Sequence, residues 1–144
     1  MEYEYFHGVP DKQTLSGVLE LHKHVFDGSD LATEKLKEKN NLILFVAKDG
    51  DRVVGFKIGY DYGNRTFYSW LGGVHKDYRG KGIAKELMRR QHELVKSMGY
   101  TKARTISRNE KREMLILNIK FGFDIKETFI SNKGTHKIVL EKML

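Results

Sequence analysis

At 144 residues, with 40% hydrophobic and 31% charged side chains, the sequence has the length and balance of one globular domain with one core, which excludes a disordered or bilayer-spanning chain. It contains no cysteine, so a disulfide framework, a thiolate zinc site and an acyl-enzyme carried on a thiol are all excluded. The formal net charge is +7, and between His75 and Thr105 nine Lys or Arg stand against three acids; a solvated helix face or an anionic ligand held nearby would each explain that local excess.

Tyr3 to His7 reads as a first strand, ended by Gly8 and Pro10. Leu15, Val18, Leu19, Leu21, His22, Val25 and Phe26 recur at helical spacing and predict one helix stopping near Gly28; Ser29 or Asp30 then caps a second helix through about Lys39. Leu42 to Lys48 reads as a buried strand, Asp49-Gly50-Asp51 as a hairpin turn, and Arg52 to Tyr62 as a long strand containing Gly55 and Gly59. After the turn Gly63-Asn64-Arg65, a further strand runs from Thr66 to Val74 and completes an antiparallel meander.

An amphipathic helix follows from about Gly82 to Met98, with Ile83, Leu87, Met88, Gln91, Leu94, Val95 and Met98 on one side and Gly99 as its stop. Lys102 to Ser107 reads as a strand, Glu110 to Phe121 as a helix, and Asp124 to Asn132 with Thr135 to Leu144 as a closing hairpin turned at Lys133-Gly134. The predicted order is β α α β β β α β α β β, an α+β (mixed α/β) fold with a central, mostly antiparallel sheet of about seven strands and about four helices, all in one domain spanning 1–144. The longest apolar run, Leu42 to Ala47, is too short to cross a bilayer, and Met1-Glu2-Tyr3-Glu4 lacks the basic and then apolar start of a signal peptide, so the expected location is cytoplasmic, with no membrane partner.

The informative segment is Trp70-Leu71-Gly72-Gly73-Val74-His75-Lys76-Asp77-Tyr78-Arg79-Gly80-Lys81-Gly82-Ile83-Ala84. A strand enters a glycine-rich turn that opens a helix, which gathers backbone N–H groups lacking helical partners into an anion cradle. Gly80 and Gly82 permit left-handed backbone angles and close approach of a phosphate, while Arg79 and Lys81 add charge where the helix dipole favours an anion. A Walker A loop fails on both flanks, because His75 stands five residues before Gly80 and Gly82 follows Lys81. The Gly-x-Gly-x-x-Gly dinucleotide fingerprint fails at Lys85 and on its strand context.

The segment resembles the coenzyme A loop of the GNAT superfamily of N-acetyltransferases, whose Arg/Gln-x-x-Gly-x-Gly/Ala pattern is met by Arg79, Gly82 and Ala84. The likeness extends over nearly the whole chain: the order of elements is similar, and Asn109 and Gly122-Phe123 resemble the family's later landmarks. The resemblance implies acetyl-coenzyme A as co-substrate and no metal. It places the pyrophosphate on the amides of Arg79, Gly80, Lys81, Gly82, Ile83 and Ala84, the pantetheine along Val74, and the thioester carbonyl on the Gly72 N–H, an oxyanion donor. Gly72 and Gly73 are expected to form a bulge that splays this strand from the Lys102–Ser107 strand.

The family's general acid is often a tyrosine four residues before the Gly-Phe landmark; here that position is Asn118, which can orient a sulfur or a water but cannot supply a proton. Tyr60, Tyr62, Tyr68 and Ser107 are candidate substitutes, and Tyr68 stands about where some members carry a glutamate base. His22 and His24, two apart on a helix, point to different faces and form no metal pair. The resemblance implies an amine acceptor, small or on a protein, with Asp27, Asp30, Glu34 and Glu38 near its expected wall. Two further readings compete: a coenzyme A-binding module without catalysis, suggested by Asn118, and a non-specific nucleic-acid binder, suggested by the basic pI and Arg89-Arg90. The exposed edge of the closing hairpin makes either a monomer or a homodimer compatible with the sequence.

Overall fold

A computed structural model describes residues 1–144. Its seven strands are β1 (Glu2–His7), β2 (Ile43–Asp49), β3 (Arg52–Gly63), β4 (Thr66–Val74), β5 (Lys102–Ser107), β6 (Asp124–Ile130) and β7 (His136–Met143); its α-helices are α1 (Lys12–Val25), α2 (Thr33–Lys37), α3 (Ile83–Ser97) and α4 (Arg112–Lys120). The strands form one sheet in the order β1-β2-β3-β4-β5-β7-β6. Every neighbouring pair is antiparallel except β4 and β5, which run parallel. The predicted order of elements matches, as do most boundaries to within two or three residues.

The helices cover both faces of the sheet. Val18 and Leu21 of α1 and Leu36 of α2 pack with Leu44, Val46, Phe56 and Ile58 on one face. Ile83, Leu87 and Val95 of α3 pack with Ile43, Phe45 and Ala47 on the other, and Met88 of α3 joins Leu115 and Leu117 of α4 over Ile138 and Leu140. Burial of apolar surface at about 25 cal/mol per Å² is what holds both helical layers to the sheet.

Two helices are shorter than the sequence suggests. Helix α2 begins at Thr33 rather than after Ser29 or Asp30, because Leu31 is drawn into the core and Ala32 is extended at ψ 130°. Helix α4 begins at Arg112, after an uncapped Lys111. Helix α1 starts earlier, where the Asp11 side chain accepts the Thr14 N–H at 3.0 Å. Met98, read as a core residue, is 39% exposed beyond the end of α3.

The inner face of α3 carries an unusual polar pair. Gln91 and His92 are buried, and neither the Gln91 amide nor either ring nitrogen of His92 has a hydrogen-bond partner. The ring lies against Phe121 and Phe123. Burial pushes the His92 pKa down to about 3, with the positive charges of Lys57 and Lys142 acting in the same direction. The folded state therefore refuses a proton that the unfolded chain accepts near 6.5, so stability present at neutral pH is lost as pH falls through that value. At pH 5 this one group costs about 2 kcal/mol relative to neutral pH. His92→Leu is expected to flatten the loss, measured by denaturant unfolding at pH 7 and pH 5; equal losses in both proteins would contradict the assignment.

Candidate active site

The site begins where β4 leaves β5. Parallel pairing runs from Thr66↔Lys102 to Ser69↔Thr105 and stops there, so β4 beyond Ser69 and β5 beyond Thr105 diverge into a cleft. The cause is a bulge on β4: its register with β3 shifts between Ile58↔Leu71 and Gly59↔Ser69, leaving Trp70 as the extra residue. Trp70 and Leu71 consequently both turn to the α1 face, as two residues opposite one require. This corrects the expectation that Gly72 and Gly73 form the bulge. Those glycines answer other constraints: a Cβ on Gly73 would lie 2.7 Å from Val25 of α1, and Gly72 faces the Lys57 side chain on the opposite face.

Gly72 and Val74 have a definite orientation along the cleft. The His75 N–H donates to the Val54 carbonyl at 2.8 Å, in register with the pairs Gly55↔Val74, Phe56↔Gly73 and Lys57↔Gly72. Antiparallel pairs alternate between bonded and non-bonded, so Gly72 and Val74 direct their N–H and C=O away from β3 and into the cleft. The Arg79 Nε accordingly reaches the Val74 carbonyl at 3.2 Å.

A short 3-10 helix (Lys76–Tyr78) follows β4 and leads to the glycine-rich turn. Its Tyr78 hydroxyl donates to Asp49 of the β2–β3 hairpin at 2.6 Å, and the His75 ring caps it by accepting the Asp77 N–H at 3.1 Å. The His75 ring also stacks on His24 of α1 at 4.4 Å, so this histidine braces the turn. Gly80 and Gly82 have φ of 77° and 80°, where side chains are strained, and a Cβ on either would meet nothing within 4 Å. Gly82 is the N-cap of α3 and offers no side chain to its first turn, which leaves the N–H groups from Ile83 and Ala84 onward open to an anion. Lys81 lies over the Tyr78 ring at 5.2 Å. Asn109 is exposed in the turn after β5.

The basic doublet of α3 is engaged within the fold: Arg89 binds Glu86 at 2.6 Å and Glu93 at 2.8 Å, and Arg90 binds Glu86 at 3.3 Å and covers the Tyr3 ring of β1. Asp30 and Glu34 make exposed pairs with Lys23 and Lys37, an arrangement worth little to stability.

On the α1 face, beside the bulge, Tyr60 meets Tyr68 and Trp70 edge-on at 5.3 and 5.6 Å, and the Lys39 ammonium lies 4.7 Å from the Tyr60 and Trp70 ring centres. Burial pushes the Tyr68 phenol up to about 12. Tyr68 thus keeps its proton at neutral pH, where it can donate a hydrogen bond. On the opposite face Asn118 is buried near the end of α4, where its backbone carbonyl accepts the N–H groups of Phe121 and Phe123 and so fixes the Gly122-Phe123 turn into β6. Lys57, which lies under α3, and His92, on that helix's inner face, were not singled out by the sequence reading. The signal for Lys57 was a lone cation inside the apolar run Val53 to Ile58 of a central strand. No group of three or more His, Asp or Glu side chains is placed to hold a metal ion.

The acetyltransferase (GNAT) domain model matches residues 40–125 of this chain. A curated relative, acetyltransferase SG1711 of Sodalis glossinidius, is 29% identical over 96 residues, which cover 67% of this chain and 66% of that protein. Among solved structures, the IAA acetyltransferase of Bacillus cereus superposes with a TM-score of 0.74 at 22% identity, covering 99% of this chain and 100% of the other. The PaiA N-acetyltransferase of Thermoplasma acidophilum, solved in complex with coenzyme A, superposes with a TM-score of 0.77 at 15% identity over the full length of both chains.

Proposed function

We propose that this chain, which belongs to the GNAT acetyltransferase family, binds acetyl-coenzyme A in the β4–β5 cleft and transfers its acetyl group directly to an amine. The observation that carries the reading is the continuity of the cleft with the left-handed glycine turn opening α3. In this reading the pyrophosphate rests on the backbone from Arg79 to Ala84, and Val74 pairs with the pantetheine amides. The Gly72 N–H donates to the thioester oxygen as negative charge develops there, with Asn118 and Asn109 near the thiol and the cofactor respectively. A preorganised donor of this kind contributes roughly 10²–10³ in rate.

The acceptor enters from the α1 face, where Tyr60, Tyr68 and Trp70 present π-surfaces already occupied by one ammonium, that of Lys39. Such a wall suits a cationic amine, which must shed its proton before attack. Titration of the protein with coenzyme A and acetyl-coenzyme A by calorimetry tests the first half of the proposal. Release of free thiol across a panel of small amines and lysine peptides tests the second. Tight binding with no thiol above background would favour a coenzyme A-binding module without catalysis, the reading that Asn118 supports.

A further inference from the structure

Lys57 is the most anomalous side chain in the molecule. It sits in the middle of β3, a central strand, and is 7% exposed; no acidic side chain pairs with it, and its ammonium keeps a narrow contact with solvent. Taking most of an ammonium's hydration away without an acidic partner is costly, so such groups persist where a site uses them. Its position is specific. Lys57 stands directly across from Gly72 in a non-hydrogen-bonded pair, the closer of the two antiparallel spacings. Its Cγ and Nζ lie 3.7 and 3.8 Å from where a Cβ on Gly72 would be, so the side chain occupies the space that this glycine leaves open beside the cleft.

We propose that Lys57 is the proton donor to the departing sulfur, supplying the acid function that the amide at position 118 cannot. The inference rests on the acetyl-transfer reading above. As the acceptor nitrogen bonds to the acetyl carbon and the carbon–sulfur bond breaks, the bond's electron pair passes to sulfur and the Lys57 ammonium delivers a proton to it. The amine left on Lys57 recovers a proton through water from the acceptor nitrogen, which has one to lose, so the products are an amide and a neutral thiol.

The surroundings suit this role. Phe45 of β2 and Gly72 of β4 flank Lys57 across the strands and carry no charge. From α3 comes His92, held neutral, and beyond it on β7 lies the cation Lys142. No carboxylate from any neighbouring element pairs with Lys57. Desolvation lowers its pKa to about 8, so at pH 7 the group is still mainly ammonium yet gives up its proton readily. The acid form is lost as pH rises through that value.

The test uses Lys57→Met, which keeps the volume and removes the charge, together with coenzyme A as probe. Titrating the bound thiol by thiolate ultraviolet absorbance should show it ionising about one unit or more below free coenzyme A in the wild type, as a cation within reach requires. In the variant the lowering should be gone while coenzyme A affinity stays within a few-fold. With acetyl-coenzyme A and hydroxylamine, an acceptor already neutral at pH 7, kcat should fall about 100-fold, and the decline above pH 8 should disappear. Removing an unpaired buried charge should also raise the melting temperature, which separates loss of rate from loss of fold. An unshifted thiol in the wild-type complex, or a variant with unchanged kcat and pH profile, would overturn the assignment of Lys57. A wild-type protein that does not bind coenzyme A would instead overturn the reading on which it rests.

Discussion

Gly82→Glu is expected to weaken coenzyme A binding more than about 100-fold, a loss of at least ~2.7 kcal/mol, while the protein stays folded. At φ 80° and ψ 12° the backbone of Gly82 lies in the left-handed region, so any side chain there costs roughly 1–2 kcal/mol of local strain. The side chain itself meets nothing of the protein within 4 Å. It therefore projects into the space before the first turn of α3, bringing a negative charge to the place proposed for the pyrophosphate. The helix behind the turn keeps its anchors, since Ile83, Leu87 and Val95 remain buried.

Gly134→Glu is the matched control. Gly134 has the same φ of 80° and equally open surroundings, but lies in the turn between β6 and β7. It should show the same strain in circular dichroism melts and undiminished affinity by calorimetry. Arg79→Ala should cost less, about five-fold, because its guanidinium is directed to the Val74 carbonyl and its charge is exposed to screening. Equal affinities for Gly82→Glu and Gly134→Glu would show that the glycine turn is not the cofactor site.

The sheet and its helices were legible because local signals agreed with the final packing. The Asp49-Gly50-Asp51 and Gly63-Asn64-Arg65 turns separate strands whose apolar runs are buried on both faces, and α3 shows its periodicity openly. The glycine turn was legible because only a left-handed backbone explains Gly80 and Gly82 so close to a helix start. What escaped lies in tertiary contact. Nothing local says that Trp70 is the bulged residue, because the bulge is a count of β4 residues against β3. Nothing local says that Gly73 is small because Val25 presses on it from α1. Lys57 and His92 read as ordinary polar positions until β3 and α3 are stacked, when both prove buried and the His92 ring proves to have no partner.

The bulge makes a demand on β3 that one methyl group can test. Gly59→Ala is expected to destabilise the fold by about 3 kcal/mol, at the upper end for overpacking, and to lower the melting temperature by about 10 °C. A Cβ at position 59 would lie 2.3 and 2.6 Å from the Cε2 and Cζ atoms of Phe67 and 2.6 Å from the Tyr68 carbonyl oxygen. Neither neighbour can give way cheaply. Phe67 is fully buried with its ring edge-on to Tyr100 at 5.3 Å, and the Tyr68 backbone is held between Tyr60 and Arg104. The only relief is for β4 to back away from β3 at Ser69, the residue facing Gly59 and the last before the strand parts from β5. That movement would shift Trp70 and reshape the head of the cleft, so coenzyme A affinity should fall even at temperatures where the variant is folded. Gly50→Ala, in the open β2–β3 turn at φ 62°, supplies the comparison, with about 1 kcal/mol of strain and no change in affinity. A Gly59→Ala protein that melts within a few degrees of the wild type and binds as well would mean that the register shift between β3 and β4 does not set the shape of the cleft.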